Sequence, residues 1–182
     1  AKGLSGAYQP ISAVMVTEDI YQVLRDESNK IGLFGHAFTT TGHPVAVAVA
    51  NRAQQLMQER DIVGHVRRVA PFLQNGLGAF SDHPLVGNVR GVGLMAAIEL
   101  VADKPSKRSF DPTFKVKDFL RMRAQEHGLI IRSALSGDSV AFSPPLIISE
   151  DEIGKMMQRF TMALDDTARW IEENGLRDKK PD

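Results

Sequence analysis

The strongest folding signal in this sequence of 182 residues is an alternation of short apolar runs with longer segments of helical period. Residues 11–16 form a mostly apolar, partly β-branched run that predicts a buried strand. Pro44 suits the first position of a helix over residues 44–59, and Ile62 begins an apolar stripe that continues to Leu77. Strands that alternate with helices in this way predict an α/β fold.

Local signals predict the remaining elements. Thr17 is a candidate N-cap for a helix over residues 18–25, and a Gly- and Thr-rich loop follows over residues 29–43. Farther along, we predict two short strands or one bent strand (89–101), a helix (111–125), a strand (129–131) and its hairpin partner (140–142). Ser149 and Glu152 form a capping box before a last helix. That helix carries an apolar stripe of Ile153, Met156, Met157, Phe160, Leu164 and Ile171.

The composition argues against several classes of function. Lys+Arg and Asp+Glu both number 22, so no basic excess indicates nucleic acid as a partner. The chain has no cysteine, and its five histidines show no metal-ligand spacing, so we predict neither disulfides nor a metal site. No apolar stretch is long enough to span a membrane, and the first residues do not resemble a signal peptide. We therefore expect a cytoplasmic protein that acts on small molecules.

Lys2 is the first candidate for chemistry, with Gly3 and Gly6 after it. A lysine amine can hold a carbonyl cofactor covalently when the fold positions it, and glycines let the backbone pass close to a planar group. The alternative is a solvated lysine of no special function. The opening also lacks the cap or turn expected at a natural beginning, so we expect the chain to be a carboxyl-terminal part of a longer protein.

The segment GHAFTTTGHP, residues 35–44, is the second candidate. Three consecutive threonine hydroxyls precede a helix start, where free N–H groups and positive potential favour an anion. The alternative is a threonine-rich turn that only caps the next helix. We predict that His36 and His43 pack in this loop and are not ligands.

Arg132 is the third candidate, because it comes directly after the predicted strand 129–131. Its guanidinium could bind a carboxylate through two parallel N–H···O contacts. The alternative is an ion pair with Asp138 across the turn. Arg90 is predicted to be structural, with an interdomain ion pair as one interpretation.

Taken in order, four segments resemble the class III pyridoxal-phosphate aminotransferases. They are AKGLSGAYQPISAV, HAFTTTGHP, NVRGVGLMAAIEL and the stretch from GLIIR through GD to SPPLIIS. The resemblance covers essentially the whole chain. It implies the fold type I architecture, with residues 1–60 as the end of the large cofactor domain plus a linking helix and residues 61–182 as the small α+β domain. It also implies a homodimer whose active sites are shared between subunits.

Carried over by position, the resemblance makes Lys2 the lysine that holds pyridoxal phosphate and moves a proton at the substrate Cα. Thr39 matches the threonine that binds the phosphate of the partner subunit's cofactor, although Ala37 and Thr40 replace the family's glycine and tyrosine. Arg132 matches the mobile arginine that binds the keto acid carboxylate in the amine–pyruvate, or ω-transaminase, subgroup. Ornithine-type relatives have an arginine at the position of Ala141 here, which supports assigning the carboxylate to Arg132.

The resemblance thus implies transfer of an amino group from an ω-amino acid or amine to pyruvate or a related keto acid. In the family, the acid that faces the pyridine nitrogen, the aromatic that stacks on the ring and a phosphate cup all precede the lysine. We therefore expect these 182 residues alone to be inactive. The alternatives are a non-catalytic α/β assembly module and a decarboxylase or aminomutase on the same scaffold.

Overall fold

The computed structural model describes residues 3–135 and 137–177. The chain divides into two compact units, an amino-terminal unit (Ala1–Asp61) and a carboxyl-terminal unit (Ile62–Asp182). The assignment of these units to a large and a small domain stays a prediction. Within the described ranges, no helix combines the length and the apolar character needed to cross a membrane.

Two helices make up the regular part of the amino-terminal unit: α1 (Glu18–Ile31) and α2 (Pro44–Glu59). The predicted bounds of α2 are confirmed. Helix α1 is longer than predicted because it continues until Gly32, whose φ of 78° ends it in the left-handed conformation. Thr17 lies at the N-cap position of α1, but its side chain makes no capping hydrogen bond.

The prediction of a buried strand over residues 11–16 is wrong. This segment has no regular structure, and Val14 and Met15 are 89% and 94% exposed. A strand must satisfy its N–H and C=O groups on a neighbouring strand, and the described part of this unit contains none. An apolar, β-branched run is therefore not sufficient to form a strand here.

The carboxyl-terminal unit is an antiparallel sheet with three helices. Its elements are α3 (Ile62–Gly78), β1 (Val86–Val92), β2 (Met95–Leu100), α4 (Val116–Glu126), β3 (Arg132–Ser133), β4 (Ser139–Phe142) and α5 (Glu150–Glu173). The strand order is β1-β2-β4-β3, and every neighbouring pair is antiparallel. The predicted α+β module is confirmed, and the segment 89–101 contains parts of two strands, β1 and β2, joined by a turn at Gly93 and Leu94.

Side chains from the sheet and from α3, α4 and α5 form one apolar core. Phe160 on α5 is fully buried, and its ring makes T-shaped contacts with the rings of Phe80 and Phe142, each at a centroid distance of 5.0 Å. The predicted capping box of Ser149 and Glu152 is confirmed. The predicted stripe of α5 is buried except for Met157, which is partly buried against the core.

The predicted helix over residues 111–125 begins later than expected. Asp111 caps a 3₁₀ turn (Pro112–Phe114) by accepting a hydrogen bond from the Thr113 N–H at 2.8 Å. Lys115 then has a φ of 53°, which interrupts the helical path before α4 starts. Asp111 and Pro112 thus mark the start of a short turn, and α4 has its own start one residue beyond Lys115.

The predicted strand over residues 129–131 is also wrong, because β3 contains only Arg132 and Ser133. Arg132 pairs with Ala141 on β4, so an extension backwards in this register would place residue 129 opposite Pro144. Proline has no N–H for a sheet ladder, and β4 itself ends at Phe142. Residues 129 and 130 would therefore face Pro144 and Ser143, which lie outside β4.

Candidate functional site

Lys2 lies outside the described residues. The segment that follows it is a hydrogen-bonded turn in which Ser5 is only 1% exposed. The Ser5 hydroxyl donates to the Gln9 carbonyl at 2.7 Å and accepts from the Gln9 N–H at 3.2 Å. Gln54 on α2 donates from Nε2 to the Leu4 carbonyl at 2.9 Å. The backbone directly after Lys2 is thus held by α2.

Thr39 lies in an exposed turn just before α2. Two backbone hydrogen bonds close the turn. The Thr41 N–H donates to the Phe38 carbonyl at 2.9 Å, and the His43 N–H donates to the Thr40 carbonyl at 3.1 Å. The Phe38 N–H in turn donates to the Thr41 hydroxyl at 3.0 Å. Within the described chain, the Thr39 hydroxyl and N–H have no partner. They are available to a ligand.

The surroundings of this turn suit a phosphate. Gly42 has a φ of 69°, a conformation that glycine adopts without strain, and α2 begins two residues later. The helix N-terminus adds positive potential and free N–H groups. His43 caps α2, with Nδ1 accepting from the Ala46 N–H at 3.5 Å. The donors present at this turn therefore fit the phosphate of the cofactor that the resemblance implies.

His36 packs against aromatic rings, in agreement with its predicted place in the loop. Its ring makes edge contacts with Phe34 and Phe38 at centroid distances of 6.1 and 5.1 Å. The described residues contain no group of three or more His, Cys, Asp or Glu side chains that could hold a metal ion.

Arg132 is the first residue of β3, where its backbone is fixed opposite Ala141 on β4. Its side chain is exposed, and the guanidinium has no hydrogen bond or ion pair with a described residue. A guanidinium in this state keeps all its donors for a planar anion such as a carboxylate.

The alternative pairing of Arg132 with Asp138 is wrong. Asp138 is 8% exposed, and burial raises the pKa of its carboxyl. The Lys117 ammonium and the backbone N–H groups of Lys117 and Phe110 oppose this shift. The carboxylate therefore ties the β3–β4 turn to the start of α4 and does not neutralise Arg132.

Three hydrogen bonds join the first turn of α4 to the hairpin that carries Arg132. The Lys117 ammonium donates to the carbonyls of Ala134 and Gly137, both at 2.8 Å. The Ser133 hydroxyl donates to the Asp118 carboxylate at 3.1 Å. Lys117 could not be identified from the sequence, because no local pattern relates a lysine in a helix start to a turn 17 and 20 residues away.

Arg90 is structural, as predicted, but the interdomain interpretation is wrong. It forms an ion pair with Glu99 at 2.7 Å and a hydrogen bond with Asn88 at 3.2 Å. All three residues lie in the β1–β2 hairpin. An exposed pair of this kind stabilises the hairpin only weakly.

Comparison with known proteins identifies the family. The family model described as aminotransferase class-III matches residues 1–164. A mitochondrial gamma aminobutyrate transaminase of Solanum lycopersicum is 40% identical over 173 residues, which cover 95% of this chain and 33% of that protein. A mitochondrial gamma-aminobutyrate transaminase of Oryza sativa subsp. indica is 41% identical over 180 residues, 99% of this chain and 34% of that protein.

Solved structures give the same result. The crystal structure of an omega transaminase from Pseudomonas jessenii in complex with PMP matches with a TM-score of 0.89 and 45% identity, over 94% of this chain and 38% of that one. The predicted fold type I architecture is confirmed by this similarity. The chain spans about a third of the length of the curated relatives it matches. It belongs to the class III aminotransferases, a family that depends on pyridoxal phosphate.

Proposed function

We propose that this chain is the carboxyl-terminal part of an aminotransferase that moves an amino group from an ω-amino acid or amine to pyruvate or a related keto acid. Family membership supports the reaction type. γ-Aminobutyrate, the substrate in the names of the plant relatives, is an ω-amino acid, and the bacterial relative is called an omega transaminase. The observation that carries the substrate class is the exposed, unpaired guanidinium of Arg132.

Arg132 binds the carboxylate of the keto acid through two parallel N–H···O contacts. When an uncharged amine occupies the pocket, the long side chain swings away. This movement breaks no ion pair with any residue that the structure describes. The backbone of Arg132 meanwhile stays fixed on β4. A fixed base with a free side chain suits a pocket that must accept two unlike substrates in turn.

Pyridoxal phosphate, when bound, supplies the carbonyl that receives the amino group and the conjugated ring that takes up electrons. Lys2 would hold it covalently, and its amine would serve as base and acid for the proton at the substrate Cα. The hydroxyl and N–H of Thr39 would donate to the phosphate. In the proposed homodimer, that phosphate belongs to the partner subunit's site.

We also propose that the protein acts in the cytoplasm, because a chain without cysteine suits a reducing compartment. Fractionation of cells that express the intact gene, followed by detection of the protein, checks this assignment. Recovery in an organelle or membrane fraction would contradict it.

The proposed reaction is tested with the intact gene product, pyruvate and a panel of ω-amino acids and amines. We expect one alanine to form for each amine consumed. A decarboxylase or an aminomutase would not form alanine in this proportion. Alanine measured by chromatography during the first turnovers therefore separates these alternatives.

The non-catalytic alternative is tested by colour. We expect the intact protein to absorb visible light through its lysine-bound cofactor and to lose this absorbance in Lys2→Ala. Lys30→Ala is the matched control, because Lys30 is an exposed lysine of the same unit that pairs with Glu27. A colourless intact protein, or a coloured Lys2→Ala variant, would contradict the assignment.

A further inference from the structure

The hairpin that carries Arg132 has very little sheet structure of its own. Only two residue pairs join β3 to β4, Arg132 with Ala141 and Ser133 with Val140. One further backbone hydrogen bond, from the Ala134 N–H to the Ser139 carbonyl at 2.8 Å, extends this ladder toward the turn. A ladder this short fixes its first residue weakly. The position of Arg132 must therefore depend on contacts outside the sheet.

Lys117 on α4 supplies two of these contacts. Its ammonium donates to the carbonyls of Ala134 and Gly137, which lie on the β3 side and the β4 side of the turn. Both distances are 2.8 Å, and hydrogen bonds with a charged donor are stronger than neutral ones. A single cation thus holds both arms of the turn together.

The place of Lys117 in α4 strengthens this interpretation. It is the second residue of the helix, where the helix dipole disfavours a positive charge. The two turn carbonyls compensate for this unfavourable position. Lys117 is thus better explained by the turn that it binds than by the stability of α4.

The contacts beside Lys117 hold the same turn. Ser133 follows Arg132 directly in the chain, and its hydroxyl donates to the Asp118 carboxylate at 3.1 Å. The Asp138 side chain is buried in this turn, and the Asp138 carbonyl accepts from the Leu100 N–H on β2 at 2.7 Å. The turn is therefore attached both to the start of α4 and to the centre of the sheet.

We propose that Lys117 is a positioning residue for the substrate carboxylate: it fixes the β3–β4 turn and so sets the base from which Arg132 reaches the keto acid. This inference rests on the proposed function, in which Arg132 binds that carboxylate. Lys117 itself does not contact the substrate. It acts by limiting where the Arg132 backbone can be, and small displacements of a binding group cost affinity steeply.

The test uses the intact gene product and measures its two half-reactions separately. We expect Lys117→Met to raise the KM for pyruvate about tenfold and to leave the KM for an amine without a carboxylate within about twofold. Lys117→Arg keeps a cation at the turn and should restore most of the loss. Lys104→Met is the matched control, because the Lys104 ammonium donates to the carbonyls of Ser81 and His83, away from the hairpin.

Two further measurements separate positioning from general damage. Amide hydrogen exchange over residues 132–141 should become faster in Lys117→Met and stay unchanged in Lys104→Met. In the double variant Lys117→Met/Arg132→Ala, the KM for pyruvate should not rise beyond that of Arg132→Ala alone, because the guanidinium that Lys117 positions is gone.

The outcomes distinguish the inference from the function on which it rests. If Arg132→Ala leaves the KM for pyruvate unchanged, the proposed carboxylate role fails, and the inference fails with it. If Arg132→Ala raises that KM and Lys117→Met does not, only the positioning role is overturned. Equal losses for pyruvate and the amine in Lys117→Met, or unchanged exchange in the hairpin, would overturn it as well. Should Lys117→Met not fold, Lys117→Gln is subjected to the same measurements.

Discussion

Asp138 allows a quantitative test of how the turn beside Arg132 is held. Its side chain is buried, and the Lys117 ammonium and the backbone N–H groups of Lys117 and Phe110 favour the charged carboxylate. Burial disfavours the charge more strongly, because the pKa of Asp138 is raised overall. The charge itself therefore does not stabilise the turn, and what Asp138 contributes is an acceptor oxygen for nearby backbone donors. A buried donor that loses its acceptor costs about 1–3 kcal/mol, and we expect Asp138→Ala to lower the free energy of unfolding of the carboxyl-terminal unit by about that amount.

Urea denaturation of the 182-residue chain measures this loss. The single tryptophan, Trp170 on α5, stacks on Phe119 of α4 at a centroid distance of 4.0 Å, so its fluorescence reports on this unit. Asp138→Asn keeps an acceptor oxygen, and we expect it to cost less than about 1 kcal/mol. If Asn costs as much as Ala, the charge is what stabilises the turn, and the reasoning from acceptor oxygens is refuted.

The raised pKa of Asp138 also predicts how the free energy of unfolding depends on pH. An unfolded aspartate loses its proton near pH 3.9, whereas the raised pKa lets folded Asp138 keep its proton to a higher pH. Between the two values the folded state binds more protons, so stability falls as the pH rises. Relative to Asp138→Asn, the wild-type chain should therefore lose stability across this window and then level off. A rise over the same window would contradict the burial argument.

Other predictions concern the proposed shared site, the apolar core and the ion pairs between α4 and α5. Mixed dimers of Lys2→Ala and Thr39→Ala subunits should recover about a quarter of the wild-type activity, because each heterodimer has one intact site if Thr39 serves the partner; no recovery over the two parent variants would place Thr39 in its own subunit's site. Phe160→Ala should destabilise the carboxyl-terminal unit by about 3–5 kcal/mol in urea denaturation, and a loss below about 1 kcal/mol would contradict the tight packing of this ring. Asp166, whose pKa is lowered by its hydrogen bond from Arg123 and then by that from His127, stabilises the fold above its unfolded pKa and loses this effect as the pH falls. Asp166→Asn should therefore be less sensitive to acid than the wild type, and an unchanged acid limb would rule out this contribution.

The parts of the fold that the sequence predicted correctly are those with local causes. Helix α2 starts at Pro44 because proline suits a first helical position, and α5 starts beside the Ser149–Glu152 capping box. The core positions of α5 follow from its apolar spacing. Each of these signals lies within a few residues of the feature that it determines.

The ends of helices α1 and α4 were misplaced for local reasons, but the larger errors concern partners that are distant in the sequence. Residues 11–16 and 129–131 have strand-like composition, but the first segment lacks a neighbouring strand in the described chain, and most of the second extends past the end of β4 at Phe142. An ion pair between Asp138 and Arg132 was predicted because the two residues are close in the sequence, but in the fold Asp138 lies near Lys117 at the start of α4. No sequence pattern marked Lys117, because its hydrogen bonds to the β3–β4 turn depend on the tertiary contact between α4 and that turn.

The most direct test of the proposed function is the change in substrate use caused by Arg132→Ala in the intact gene product. Removal of a two-point guanidinium–carboxylate contact should lower kcat/KM for pyruvate about 100-fold and change kcat/KM for an amine without a carboxylate less than about threefold. Arg132→Lys keeps the charge without the planar pair of donors, so its kcat/KM for pyruvate should lie between those of the wild type and Arg132→Ala. Equal losses for pyruvate and the amine would contradict the assignment of Arg132 as the residue that accommodates both substrates.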